Sequence, residues 1–142
     1  MEQKMTSENN YPPGRGLDLT ISFLESAGLT SPFRIDPASD QVNFRICAEI
    51  PGGVSCLEVQ GGIGATLEIP GGYMTFEAIP DDEEEINILY EFAELAAFIW
   101  DGGAGPQISP LKKRRSLGVD LPSGRGYMFS RPFFTVRGHG AR

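Results

Sequence analysis

Histidine is almost missing from this chain. His139 is the only one, and there are two cysteines, Cys47 and Cys56. A zinc site needs three or four such ligands at close spacing, and these residues do not supply them, so neither a metal nor a cofactor is expected. There is no Gly-rich phosphate loop closed by Lys-Ser/Thr and no Gly-x-Ser-x-Gly turn, so the commonest nucleotide and ester hydrolases are excluded. No apolar run approaches 18 residues, and a membrane-crossing helix is not expected. The opening MEQKMTSENN lacks the apolar stretch of a secretory signal. With two cysteines and no leader, the chain reads as cytoplasmic with both thiols free. Binding, rather than enzymatic chemistry, is the expected class of function.

The 142 residues suit one domain, and the 18 glycines and 11 prolines imply many turns. The net charge of −7 is unevenly spread. Residues 1–105 hold 18 acids and four bases, whereas residues 106–142 hold eight bases and one acid. Such asymmetry can serve nucleic acid or an acidic partner, or the two halves can neutralise each other within a fold or across a dimer. The run Lys112-Lys113-Arg114-Arg115 has no aromatic stacking platform beside it. It is read as a partner for the acids at Asp81 to Glu85, not as a specific nucleic-acid site.

Residues 1–16 are polar and read as a disordered arm, 17–136 as a single domain and 137–142 as a frayed tail. Leu17, Ile21 and Leu24 share one face of a short helix over 17–28, with Gly28 as its stop. Val42, Phe44, Ile46, Ala48 and Ile50 alternate with polar residues, the period of a half-buried strand. Pro51-Gly52-Gly53 then turns the chain, since proline presets the first turn angle and glycine accepts positive φ. Glu49-Ile50-Pro51-Gly52-Gly53 recurs identically as Glu68-Ile69-Pro70-Gly71-Gly72. Leu57-Glu58 matches Phe76-Glu77 at the same offset, which predicts two tandem hairpins, 42–59 and 65–79, joined at Gly61-Gly62. After the long helix, Leu117 to Leu121 and Tyr127 to Val136 form a closing hairpin.

Residues 82–100 give the strongest helix, capped by Asp81 or Asp82, with acids in its first turn where the helix dipole favours them. Its apolar residues surround most of the circumference, far more than the arc of about 100° that a surface helix needs. A second subunit is the expected cover, with Ile88, Phe92, Leu95 and Ile99 at a homodimer interface. A central helix wrapped by its own chain is the alternative. The fold class expected is α+β: an antiparallel twisted sheet of five to six strands, a short N-terminal helix and one long central helix.

In this order of elements the chain resembles the small chaperones of bacterial type III secretion (Tir chaperone-like). The stretches that carry the resemblance are Leu19 to Leu29 with Pro32-Phe33-Arg34-Ile35-Asp36, Met74 to Ile79 followed by the helix to Trp100, and Ser116 to Arg125 with Phe129-Ser130-Arg131. It implies an acidic, cytoplasmic, dimeric chaperone of a secreted effector-like protein. The chain departs from that family in having four strands, not three, before the long helix, and no last helix. Arg45 to Ile50 with Glu68 to Tyr73 is similar to gyrase-inhibitor-like domains, which bind small amphipathic or cationic molecules. Ala96 to Pro106 through Arg137 to Arg142 is similar to phage tail-completion proteins.

The expected function is therefore a non-enzymatic chaperone or adaptor that takes an extended partner segment into apolar grooves and along an edge strand. Leu24, Phe33, Phe44, Ile46, Leu57 and Val59 are the groove or core candidates. The alternatives are a small-molecule sensor built on Glu49, Glu68, Tyr73, Tyr90 and Trp100, or a phage head–tail assembly protein.

Overall fold

The computed structural model of the chain describes residues 15–103 and 116–131. Residues 1–14 of the expected arm over 1–16, the basic run Lys112 to Arg115, the strand beyond Arg131 and the tail with His139 lie outside the described residues, whereas Gly16, assigned to that arm, opens the first helix.

The architecture is α+β. The elements follow as α1 (Gly16–Ser26), β1 (Arg34–Ile35), β2 (Asn43–Ile50), β3 (Gly53–Gln60), β4 (Gly64–Ile69), β5 (Tyr73–Ala78), α2 (Asp82–Trp100), β6 (Ser116–Asp120) and β7 (Gly126–Ser130). They form one seven-stranded antiparallel sheet in the order β1-β2-β3-β4-β5-β7-β6. The count exceeds the expected five to six because β1 is a strand of two residues, too short to show any alternation.

Local chemistry explains the element ends. Gly28, at φ +89°, closes α1: its N–H donates to the Glu25 carbonyl, and the Leu29 N–H donates to the Leu24 carbonyl. Those two bonds are the 5→2 and 6→1 pair of a Schellman stop. Asp81 caps α2, its carboxylate accepting from the Glu84 N–H at 2.8 Å.

The two identical Pro-Gly-Gly segments build different turns. In the first, Ile50 pairs with Gly53, leaving a two-residue loop. In the second, Ile69 pairs with Tyr73, leaving three. The single extra residue inverts the return strand, because side chains alternate with period two. Leu57 points into the core, and its repeat counterpart Phe76 points out.

Both helices lie on the same face of the sheet, and α1 packs along α2. The core fills the space between, with Leu24, Phe44, Ile46, Leu57, Val59, Leu67, Leu89, Phe92, Val119 and Phe129 all buried. The apolar circumference of α2 is covered mainly within this chain, the alternative expected above, so its cover does not call for a second subunit. The sheet lies beneath it and α1 beside it, with the Phe23 ring edge-on to Tyr90 at 5.3 Å. The β6–β7 hairpin covers a further side, with Tyr127 edge-on to Phe92 at 6.2 Å. Ile88, Phe92, Leu95 and Ile99, assigned to a dimer interface, are all core residues here. Among the described residues, no helix is long and apolar enough to cross a membrane.

Candidate functional site

Five of the six groove candidates, Leu24, Phe44, Ile46, Leu57 and Val59, are buried in the core, so they hold the fold together and form no groove. Phe33 is half-buried against that core. The sensor candidates do not converge either. Glu49 and Glu68 stand on the helix-free face, where Glu49 pairs with Arg34 at 3.8 Å and Glu68 with Arg45 at 4.0 Å. Tyr73 and Trp100 are buried, and Tyr90 lies exposed on α2.

The face of the sheet away from the helices is the better site. Alternation sends Arg45, Cys47, Glu49, Val54, Cys56, Glu58, Thr66, Glu68, Met74 and Phe76 to this side. Three of its apolar side chains remain largely in solvent: Val54 at 43% exposure, Phe76 at 58% and Met128 at 60%. Phe76 lays its ring over Gly64 on β4, a position where any side chain would collide with it. A hollow of about 360 Å³ opens at the turn end of the face, lined by Val54, Glu68, Met74 and the second Pro-Gly-Gly turn. Arg131 braces that turn, its Nε–H donating to the Gly71 carbonyl at 2.9 Å while its guanidinium stacks over Tyr73 at 5.1 Å. A second hollow of about 260 Å³ lies at the other end, lined by Asn43, Arg45, Glu58 and Gln60 among others.

Between the hollows sits a polar centre. Arg45 reaches Glu58 at 3.5 Å and Glu68 at 4.0 Å, and its guanidinium donates to Cys56 Sγ at 3.5 Å. Cys47 stands directly opposite Cys56, with Cα atoms 4.1 Å apart, and the two are joined by a disulfide. The expectation of two free thiols is thereby corrected. The two-residue turn at Pro51-Gly52 sets this opposition, and the short Cα distance is that of a non-hydrogen-bonded antiparallel pair.

The helix side carries a separate polar cluster. Arg125, presented by the turn at Gly124, bridges Glu91 at 3.5 Å and Glu94 at 3.7 Å on α2. Burial raises the Glu91 carboxyl above its usual range, and Arg125 opposes that rise. Burial likewise raises the Tyr127 phenol, with the charge of Glu91 acting in the same direction. A hollow of about 340 Å³ adjoins this cluster, lined by Glu94, Ala97, Phe98 and Leu121 among others. Among the described residues no group of Cys, His and carboxylates could hold a metal ion.

Sequence reasoning missed the helix-free face because it matched Phe76 to Leu57 in the repeat and did not resolve which side of the sheet each one meets. The signal that could have found it is the register, which the repeat disguises. Compared with protein-family models, with curated proteins and with solved structures, the chain matches none.

Proposed function

We propose that this protein is a non-enzymatic adaptor or chaperone that holds an extended segment of a partner protein against the helix-free face of its sheet. The observation that carries the reading is the one-sided architecture: both helices cover one face, and the other leaves Val54, Phe76 and Met128 in solvent around a lined hollow. Phe76 and Met128 are neighbours by register, and exposed apolar side chains gathered in this way mark interaction surfaces. β6 forms one edge of the sheet, with no strand beyond it among the described residues. Its outward main-chain groups, with no strand paired to them among the described residues, suit an added strand.

Charge defines the partner's chemistry. The described residues carry 17 carboxylates and five guanidinium groups, so the preferred segment alternates apolar and basic side chains. An apolar side chain fills the hollow, and a basic neighbour meets Glu68 or Glu58. The resemblance to type III secretion chaperones makes a secreted protein the partner in this reading.

The test uses a fluorescein-labelled peptide of alternating leucine and lysine, read by polarisation. Micromolar binding is expected, weakened at least tenfold by Phe76→Ser with Met128→Ser and unchanged by Val42→Ser, which lies off the face. Binding indifferent to the double substitution, or no binding up to millimolar peptide, refutes the reading.

A further inference from the structure

The helix-free face holds a second chemistry, independent of partner docking. We propose that the Cys47–Cys56 pair is a reversible thiol-exchange site, opened and closed by a small thiol such as glutathione, with Cys56 as the leaving sulfur.

Three observations support it. The bridge lies on the solvent side of the sheet, away from both helices. Its residues are 7% and 6% exposed, and the Arg45 side chain, whose guanidinium meets Cys56 Sγ, is 40% in solvent. Second, the alignment of the hairpin does not rest on the bridge alone. The bridge closes a separation of nine residues in a hairpin that seven other register pairs also align. Cross-linking gains less in a short closed loop than in a long one, and the remaining register pairs keep the hairpin aligned when the bond opens. Third, the two sulfurs are not equivalent. Arg45 donates to Cys56 Sγ at 3.5 Å, whereas Cys47 faces β1, whose Arg34 stands opposite it in register. A departing sulfur leaves as thiolate, and a guanidinium in contact stabilises that charge.

The chemistry balances as follows. The incoming thiolate attacks Cys47 Sγ from the β1 side, where Arg34 favours an anion, and a mixed disulfide forms at Cys47. The Cys47–Cys56 bond breaks and its electron pair leaves on Cys56, beside Arg45. A second thiolate attacks the small-molecule sulfur of the mixed disulfide, releases the oxidised small disulfide and returns Cys47 as a thiolate that takes a proton from water. Two thiols are oxidised and one protein disulfide is reduced. Oxidised glutathione drives the reverse sequence.

The experiment titrates the folded full-length protein in reduced and oxidised glutathione mixtures at neutral pH. Acid quenching, maleimide alkylation and intact-mass measurement give the redox state, and peptide mapping locates the adduct. Complete opening within about 10 mM reduced glutathione is expected, with far-UV circular dichroism unchanged and the glutathione adduct on Cys47. Arg45→Gln should slow opening about threefold for each unit by which the leaving thiol's pKa rises, and Arg45→Lys should restore the rate. A bridge that opens only on denaturation overturns the proposal, as does an adduct on Cys56 or an Arg45→Gln rate equal to wild type. Two free thiols that oxidised glutathione fails to join also overturn it.

Discussion

Ser55 is the polar residue on which the junction between α2 and the sheet turns, and its replacement by alanine tests the packing directly. The side chain is fully buried on β3. Its hydroxyl accepts from the Trp100 indole N–H at 2.8 Å and donates to the Glu68 carbonyl at 2.6 Å. Ser55→Ala removes both bonds and leaves a buried indole donor facing a methyl group. Orphaning a buried polar group costs about 1–3 kcal/mol, and the void left by one oxygen is too small to add much. We expect a loss of about 2 kcal/mol, or a fall in Tm of about 5–10 °C for a domain of this size. Urea titration followed by far-UV circular dichroism gives the stability. Emission from Trp100, the only tryptophan, reports the indole's surroundings in the same samples. Trp100→Phe removes the donor from the other side, so the double variant should lose about 1 kcal/mol less than the sum of the singles. A Ser55→Ala protein within about 0.5 kcal/mol of wild type, or strict additivity in the cycle, refutes the reasoning.

The repeat offers a contrast between matched positions: Leu57→Ala should cost about 2–5 kcal/mol by denaturant titration and the exposed Phe76→Ala about 1 kcal/mol or less. Asp81→Ala should cost about 1 kcal/mol through loss of the α2 cap, measured the same way. At the other end of α2, Asp101 accepts from the Ser31 hydroxyl at 2.7 Å and from the Thr30 and Ser31 N–H groups at 3.0 and 2.9 Å, which hold its carboxyl below the usual 3.8. The folded state therefore binds fewer protons than the unfolded state at that site. The advantage of the wild type over Asp101→Asn, about 1 kcal/mol after solvent screening, should be full above pH about 4 and fade as pH falls through the lowered folded value. Melting curves from pH 7 to pH 3 check both the size and the sign.

Much of the fold was legible locally. The alternation from Val42 to Ile50 marked β2, Gly28 marked the end of α1, and Asp81 with the acids after it marked the start of α2. Each of these signals acts within a few residues of itself: a cap satisfies the next turn's N–H groups, and a glycine adopts a φ that other residues avoid. Three features had no such local origin. The second Pro-Gly-Gly turn holds one residue more than the first, although their sequences are the same. That difference turns Tyr73 inward and Phe76 outward, and only pairing along the whole of β4 and β5 selects it. The cover over α2 comes from α1 and from a hairpin that follows it in the chain, so its apolar circumference could not by itself distinguish a wrapping chain from a second subunit. Cys47 meets Cys56 because the first turn is two residues long; one more residue would place them out of register. Sequence determined where elements begin, end and turn, because those outcomes depend on neighbouring backbone groups. The tertiary structure decided which side of each strand meets the helices, because that choice sums contacts between residues far apart in the chain.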